Sequence, residues 1–269
     1  MRNILDLRKI QFSKCDLKRK IFIPQKLDED LSYLCGFLAG DGNFYMRLNK
    51  YEYSIICVGN PKDEKQFYNE VISSLFKKLF NIEVIPRLFD QGTTYGIKIR
   101  SKAIFLFFTK VIGFPSGKKC DKIKIPYILK QSDNFIKSFI QGFADADFCF
   151  TLKKRYRKEF YYPCIEGASA SEKMIDDIAF YLNKFRFRFN KCKIVRFDKR
   201  VNKFEIIFRI DLNGYLQLFM WMNTIGFRNL KYIKKFEAWR EKNLSNKKVL
   251  KASKILADSS AESFINKEK

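Results

Sequence analysis

The chain has 269 residues, of which 53 are Lys or Arg and 29 are Asp or Glu, giving a formal charge of +24, and it contains no histidine. That balance points to a polyanionic partner, and the missing imidazole excludes Ser-His and Cys-His nucleophilic catalysis, histidine-ligated metal nucleases and His-containing zinc fingers. With 46% hydrophobic and 16% aromatic residues, the chain has enough apolar material for a folded core. In chain order, residues 1–28 form a basic extension that lacks the apolar centre of a secretion signal. The run Leu34-Cys35-Gly36-Phe37-Leu38-Ala39-Gly40-Asp41-Gly42 then reads as a buried helix ending in an aspartate. Alternating stretches predict strands at 44–48 and 53–58, a helix over 63–80, strands at 83–88 and 94–99, and a helix over 102–112 stopped by Gly113. A second run, Ile140-Gln141-Gly142-Phe143-Ala144-Asp145-Ala146-Asp147-Phe148, opens the same order again. Strands are expected at 148–152 and 160–166, a helix over 171–185, strands at 191–197 and 203–210, and a helix over 213–225 stopped by Gly226.

The two runs lie 106 residues apart, whereas Ile112-Gly113-Phe114 and Ile225-Gly226-Phe227 lie 113 apart, so the second copy carries about seven extra residues. A unit used twice explains both anchors. It divides the chain into an extension at 1–28, a first half at 29–125, a second half at 126–242 and a polar tail at 243–269.

The small residues of the two runs carry the next step. Gly36 and Gly40, like Gly142 and Ala146, are four apart, so each pair shares one helix face and lets another backbone approach. Each Gly costs about 1 kcal/mol against Ala in a helix interior, which calls for a packing reason. If the two faces pack together, Asp41 and Asp147 emerge side by side at the negative ends of two helix dipoles, where ionised carboxylates conflict. A divalent cation resolves that conflict, and Mg²⁺ commonly uses one or two carboxylates together with phosphate oxygens.

These two motifs resemble those of the LAGLIDADG family of homing endonucleases and maturases, with the aspartate of the eighth motif position present in both. The resemblance covers roughly residues 30 to 240. It implies an α+β fold of two pseudo-symmetric αββαββα halves, with the motif helices at the interface and two antiparallel sheets forming a saddle over double-stranded DNA. It also implies a monomeric, site-specific endonuclease of intron or intein homing type. Such an enzyme uses Mg²⁺, or another divalent cation such as Mn²⁺, to cut both strands of a long asymmetric target, with Asp41 and Asp147 as metal ligands and catalytic groups. Family members commonly place a lysine just after the last helix of each half, and the offset of 113 pairs Lys118 with Lys231 as catalytic candidates. Asn60 falls near a position where the family often has a polar, water-organising residue, with Ser169 as its loose counterpart. One departure is that Gly42 follows the first aspartate as the family prefers, whereas Phe148 follows the second. Two strand-cleaving sites are expected all the same, and Asp145 is read as structural.

DNA contact is expected on strand pairs that mix charge with planar groups, because a β-ribbon fits the major groove, where Arg, Lys, Gln and Asn read base edges. In the first half these are Tyr45, Arg47, Asn49, Lys50, Tyr51 and Tyr53, with Arg87, Gln91, Lys98 and Arg100. In the second they are Lys153, Lys154, Arg155, Tyr156, Arg157 and Lys158, with Arg196, Lys199, Arg200 and Arg209.

The remaining signals are negative. The seven cysteines include no C-x-x-C pair, which argues for reduced intracellular thiols rather than a zinc site or disulfide framework. The stretch Gly113-Phe114-Pro115-Ser116-Gly117-Lys118-Lys119 is one residue short of a P-loop and lacks its Ser/Thr. Nothing is long and apolar enough to span a membrane, so an intracellular place is expected, in the cytoplasm with the nucleoid or in an organellar matrix, and not secretion. Two other readings stay open: a maturase that binds intron RNA, and a DNA-binding descendant that no longer cuts.

Overall fold

The computed structural model describes residues 4–117, 122–155, 161–198 and 202–243. After a short helix α1 (Lys14–Lys18), the chain runs α2 (Glu29–Gly40), β1 (Asn43–Arg47), β2 (Glu52–Gly59), α3 (Ser73–Phe80), β3 (Arg87–Phe89), β4 (Thr94–Arg100) and α4 (Lys102–Leu106). Wide π-helical turns at Phe67–Ile72 and Phe107–Ile112 lead into α3 and continue α4. The order then repeats as α5 (Asp133–Asp147), β5 (Phe148–Lys153), β6 (Tyr162–Ser169), α6 (Glu172–Lys184), β7 (Asn190–Asp198), β8 (Lys203–Asn213) and α7 (Tyr215–Thr224), and α8 (Leu230–Lys242) follows. The fold is α+β, two αββαββα units. Each builds an antiparallel four-stranded sheet of the same order, β1-β2-β4-β3 and β5-β6-β8-β7.

The strand registers locate the extra residues of the second unit. Asn43 pairs with Ile56 and Cys149 with Glu166, so the offset of 106 at the first strand has become 110 at the second. Ile56 pairs with Lys98 and Glu166 with Asp211, which brings it to 113 at the fourth strand. Four of the added residues therefore lie in the first hairpin, and the other three between the second and fourth strands.

Each sheet turns one face to the core, as strict alternation requires. Phe44, Ile55, Cys57, Ile97 and Ile99 are buried beneath the first sheet, against a cluster of Phe80, Phe107, Phe108 and Phe114. Beneath the second, Phe150 is buried and Phe148 meets Phe143 and Trp221. Between the sheets lies α2, buried from Leu31 to Ala39 and begun by Asp28, whose side chain accepts from the Leu31 N–H at 2.7 Å. A helix apolar on all sides belongs inside, and here α5 covers the side left open by the first sheet.

Three elements differ from the sequence reading. The third strand of the first half is three residues long rather than six, because Pro86 has no N–H to give the ladder and Ile85 points to solvent at 84% exposure. The extension, from Ile4 onward, packs onto the first half: Leu5, Ile21 and Ile23 are buried, and the Phe22 N–H donates to the Phe80 carbonyl at 3.0 Å. Helix α8, outside the repeat, buries Tyr232, Phe236 and Trp239, and the Trp239 ring stacks on Tyr215. No helix among the described residues is long and apolar enough to cross a membrane.

Candidate metal centre and nucleic-acid interface

Helices α2 and α5 cross with their backbones in contact, and the glycines are the reason. A Cβ on Gly36 would lie 1.9 Å from the Phe139 carbonyl oxygen and 2.8 Å from the Phe143 nitrogen. One on Gly142 would lie 2.0 Å from the Tyr33 carbonyl oxygen and 2.8 Å from the Phe37 nitrogen. At the offset of 106, Tyr33, Gly36 and Phe37 of α2 correspond to Phe139, Gly142 and Phe143 of α5, so each helix makes the same contacts on the other and the crossing is a local twofold. One turn on, a Cβ at Gly40 would sit 2.5 Å from that of Ala146 and 3.2 Å from Oδ2 of Asp147. The Asp147 carboxylate thus rests over the residue preceding Asp41, at the C-terminal ends of both helices.

The two motif ends are not identical. Asp41 caps α2, its N–H donating to the Phe37 carbonyl at 3.0 Å, and Gly42 intervenes before β1. Asp147 is the last residue of α5, and Phe148 enters β5 directly with φ −98 and ψ 162. The bulk of Phe148 is accommodated by Gly167 on the neighbouring strand, where a Cβ would lie 2.1 Å from the Phe148 ring. The Tyr232 hydroxyl, donating to the Phe148 carbonyl, fixes this turn.

Lys231 stands at the start of α8, and its Nζ pairs with Glu64 Oε1 at 2.5 Å across the two halves. Glu64 is buried and also accepts from the Asn60 N–H at 2.7 Å and from Asn229 Nδ2 at 3.3 Å. Asn60 itself is exposed; its side-chain oxygen closes a turn on the Lys62 N–H. The hydroxyls of Tyr68 and Tyr232 are both pushed up, first by burial and then by surrounding negative charge that includes Asp41 and Glu64, so these groups share one electrostatic neighbourhood.

Asp145 is set apart from this centre. It is 1% exposed and accepts from the Tyr33 hydroxyl at 2.6 Å and the Arg228 N–H at 2.8 Å. Burial raises its pKa to about 7 against the pull of those donors. The Arg228 guanidinium lies 4.2 Å over the Tyr33 ring and pairs with Asp30 at 2.7 Å, tying α2 to the segment before α8.

The outer face of the first sheet carries Tyr45, Arg47, Lys98 and Arg100 around Glu52. The carboxylate of Glu52 is held down to about 2, chiefly by the Lys98 ammonium at 3.1 Å and the Tyr45 hydroxyl at 2.9 Å. Arg87, opposite Gly96 and packed on the Phe89 ring, lies on the same face, while Gln91 and the exposed Asn49, Lys50 and Tyr51 occupy hairpin tips. On the second sheet Glu166 is the equivalent hub, paired with Lys153 and, at 2.6 Å, with Arg209, which also holds Asp211 at 2.6 Å. Potential ligand atoms of Cys164, Glu166 and Asp211 lie within 4.8 Å of one another, but Lys153 and Arg209 already engage both carboxylates. Arg155 lies 3.8 Å over the Tyr162 ring, Lys154 is exposed beside it, and Arg196 pairs with Glu205 at 3.4 Å. Lys118, Tyr156, Arg157, Lys158, Lys199 and Arg200 lie outside the described residues. Sequence reasoning missed Glu64, Asn229 and Arg228, which lie in no motif and meet only because α8 folds back across the first half.

The architecture is that of a two-repeat saddle with its motif helices at the centre. A solved I-SmaMI variant shares it at a TM-score of 0.51 and 14% identity, covering 87% of this chain and 96% of its own. The LAGLIDADG meganuclease I-AabMI bound to uncleaved DNA gives a TM-score of 0.49 at 12% identity, over 83% of this chain and 94% of that one. The homing endonuclease I-DmoI gives 0.48 at 17% identity, over 74% and 95%. No protein-family model matches the chain. Among curated proteins of Methanocaldococcus jannaschii, the replication factor C small subunit is 26% identical over 217 residues, 80% of this chain and 10% of that protein. The probable translation initiation factor IF-2 is 26% identical over 264 residues, 93% and 19%. The chain therefore spans about a tenth to a fifth of the curated relatives it matches.

Proposed function

We propose that this chain is a site-specific DNA endonuclease of the LAGLIDADG kind, working as a monomer that carries both catalytic carboxylates. The observation that carries this reading is the Asp147 carboxylate lying over Gly40, the residue before Asp41, where α2 and α5 both end. Two carboxylates at adjoining helix C-termini form an all-oxygen, like-charged donor pair, which suits Mg²⁺ or Mn²⁺. Asp41 and Asp147 would hold such a cation, and bound there it would activate a water and neutralise charge on the phosphate. Lys231, oriented by Glu64, adds positive charge near the scissile phosphate. Asn60, and Lys118 from outside the described residues, complete the proposed set.

The outer-face residues from Tyr45 to Arg209 grip a duplex. Phosphate contacts set its position and a subset reads bases. The homing character is supported by segments resembling this chain inside proteins as differently named as a replication factor subunit and an initiation factor, as expected of an insert that moves between hosts.

The test is to join the DNA on either side of the reading frame, clone that junction in a supercoiled plasmid, and add protein with Mg²⁺ or Mn²⁺. Linear product cut near the junction supports the reading. An intact plasmid with both ions, from a preparation that binds the junction, leaves a DNA-binding protein without cleavage.

A further inference from the structure

Residues 13–19 form a small docking unit. Ser13 and Asp16 cap each other around α1, and Asp16, fully buried, also accepts from the Ala103 N–H at 3.2 Å. Arg19 donates to Asp16 at 3.1 Å and to the Arg100 carbonyl at 2.6 Å. The unit is thereby pinned where β4 passes into α4. Between it and the β1–β2 turn opens a cleft of about 960 Å³ lined by Lys14, Arg19, Lys50, Arg100 and Lys102 with one acid, Glu52. Lys14, Lys50 and Lys102 have no carboxylate partner among the described residues, and the acid is already committed to Lys98 at 3.1 Å.

We infer that this cleft holds the sugar-phosphate backbone of duplex DNA flanking the target, so that the N-terminal segment extends the saddle. The inference rests on the endonuclease reading. Cations gathered around a single carboxylate repel one another, and a polyanion relieves that repulsion. The space exceeds what one phosphate fills, and its five basic side chains stand beside the Tyr51 and Tyr53 rings and the stems of the lysines and arginines, a mix of charge and apolar surface that suits sugar as well as phosphate. It is also continuous with the outer sheet face through Glu52 and Arg100. From Asn43 to Arg47 the strand advances roughly 14 Å away from Asp41, which places the cleft about four base pairs from the scissile phosphate at roughly 3.4 Å per step. That is the flank of the first half-site.

Cys15 lies in the cleft with an exposed thiol, and Cys149, also exposed, follows Asp147, so the chain carries its own pair of reporters. Alkylation of both thiols is followed by peptide mass spectrometry in the full-length protein, free, with a 40-base-pair duplex, and with millimolar inorganic phosphate. In parallel, the salt dependence of duplex binding is compared between wild type and the double variant Lys14→Gln/Lys102→Gln. The expected result is that duplex slows alkylation of both thiols severalfold, and that the double variant flattens the log K against log salt slope by about 1.8, at about 0.9 for each phosphate no longer neutralised. Protection of Cys149 without Cys15, together with an unchanged slope, overturns the inference while leaving the endonuclease reading standing. Equal protection of Cys15 by inorganic phosphate alone makes the cleft a small-anion site and also overturns it. A wild-type protein that binds no duplex removes both.

Discussion

Gly36→Ala tests the closeness of the central crossing. The substitution adds one carbon, and on an ordinary helix it would stabilise by about 1 kcal/mol. Here the carbon arrives 1.9 Å from the Phe139 carbonyl oxygen, a backbone atom that no rotamer change can move. Relief requires α2 and α5 to separate by more than about 1 Å, and a gap of that size forfeits roughly a quarter to a half of each dispersion contact along the crossing. Overpacking of this kind costs about 1–3 kcal/mol, and a rigid backbone obstacle belongs at the upper end. Set against the propensity gain, the net loss is about 2 kcal/mol, which for a domain of this size lowers Tm by about 4–8 °C. Urea and thermal unfolding by circular dichroism measure it, with Gly142→Ala as the symmetry-related partner expected to lose a similar amount. Because Asp41 and Asp147 end the same two helices, DNA cleavage should fall in these variants at temperatures where both are still folded. A Gly36→Ala protein as stable as wild type or more so would refute the reasoning, since it would mean the helices have room between them.

Asp41→Asn and Asp147→Asn should each abolish double-strand cleavage while leaving duplex affinity within a few-fold, as read by gel shift and plasmid linearisation; wild-type-like cutting by either removes the proposed centre. Asp145 has a folded pKa raised to about 7, so the native state holds a proton that the unfolded chain gives up near the ordinary aspartate value. Its contribution to stability is complete below about pH 4 and is lost as pH rises to about 7, up to roughly 4 kcal/mol in all. Asp145→Asn should flatten the urea midpoint over that window, and an unchanged pH profile counts against a protonated Asp145. Analytical ultracentrifugation of the DNA complex should give one protein per duplex, because both motifs already pair within one chain. Neutralising Lys153, Lys154, Arg155 and Arg157 together should reduce the salt slope by about 0.9 for each phosphate they neutralise and weaken all sequences alike. Arg47→Ala should instead relax preference at particular base pairs if that residue reads bases.

The sequence disclosed most where one physical device served one purpose. Paired small residues at Gly36, Gly40, Gly142 and Ala146 can only mean close backbones, and the strand–turn–strand alternation after each aspartate returned with the same sheet order in both halves. What it concealed depends on partners distant in sequence. Glu64 in a polar stretch looks like any solvated acid until Asn229 and Lys231 arrive from 165 and 167 residues away. Residues 1–28 read as a charged extension because Leu5, Ile21 and Ile23 are too scattered to show a period, yet each finds a place in the core. The Arg228 contact to Asp30 spans 198 residues and follows no motif.

The fit of Phe148 over Gly167 couples the second motif to the strand beside it. A β-carbon at position 167 would collide with the ring at 2.1 Å, so the large residue fits only opposite the small one. Reverting Phe148 to the glycine of the first motif would leave a void of aromatic size in the core, at a cost of about 3–5 kcal/mol. The duplicated halves are therefore no longer interchangeable parts. A first motif grafted into the second half would leave the space of that ring empty although the two sequences look alike, so the motif and the strand beside it have to be exchanged together.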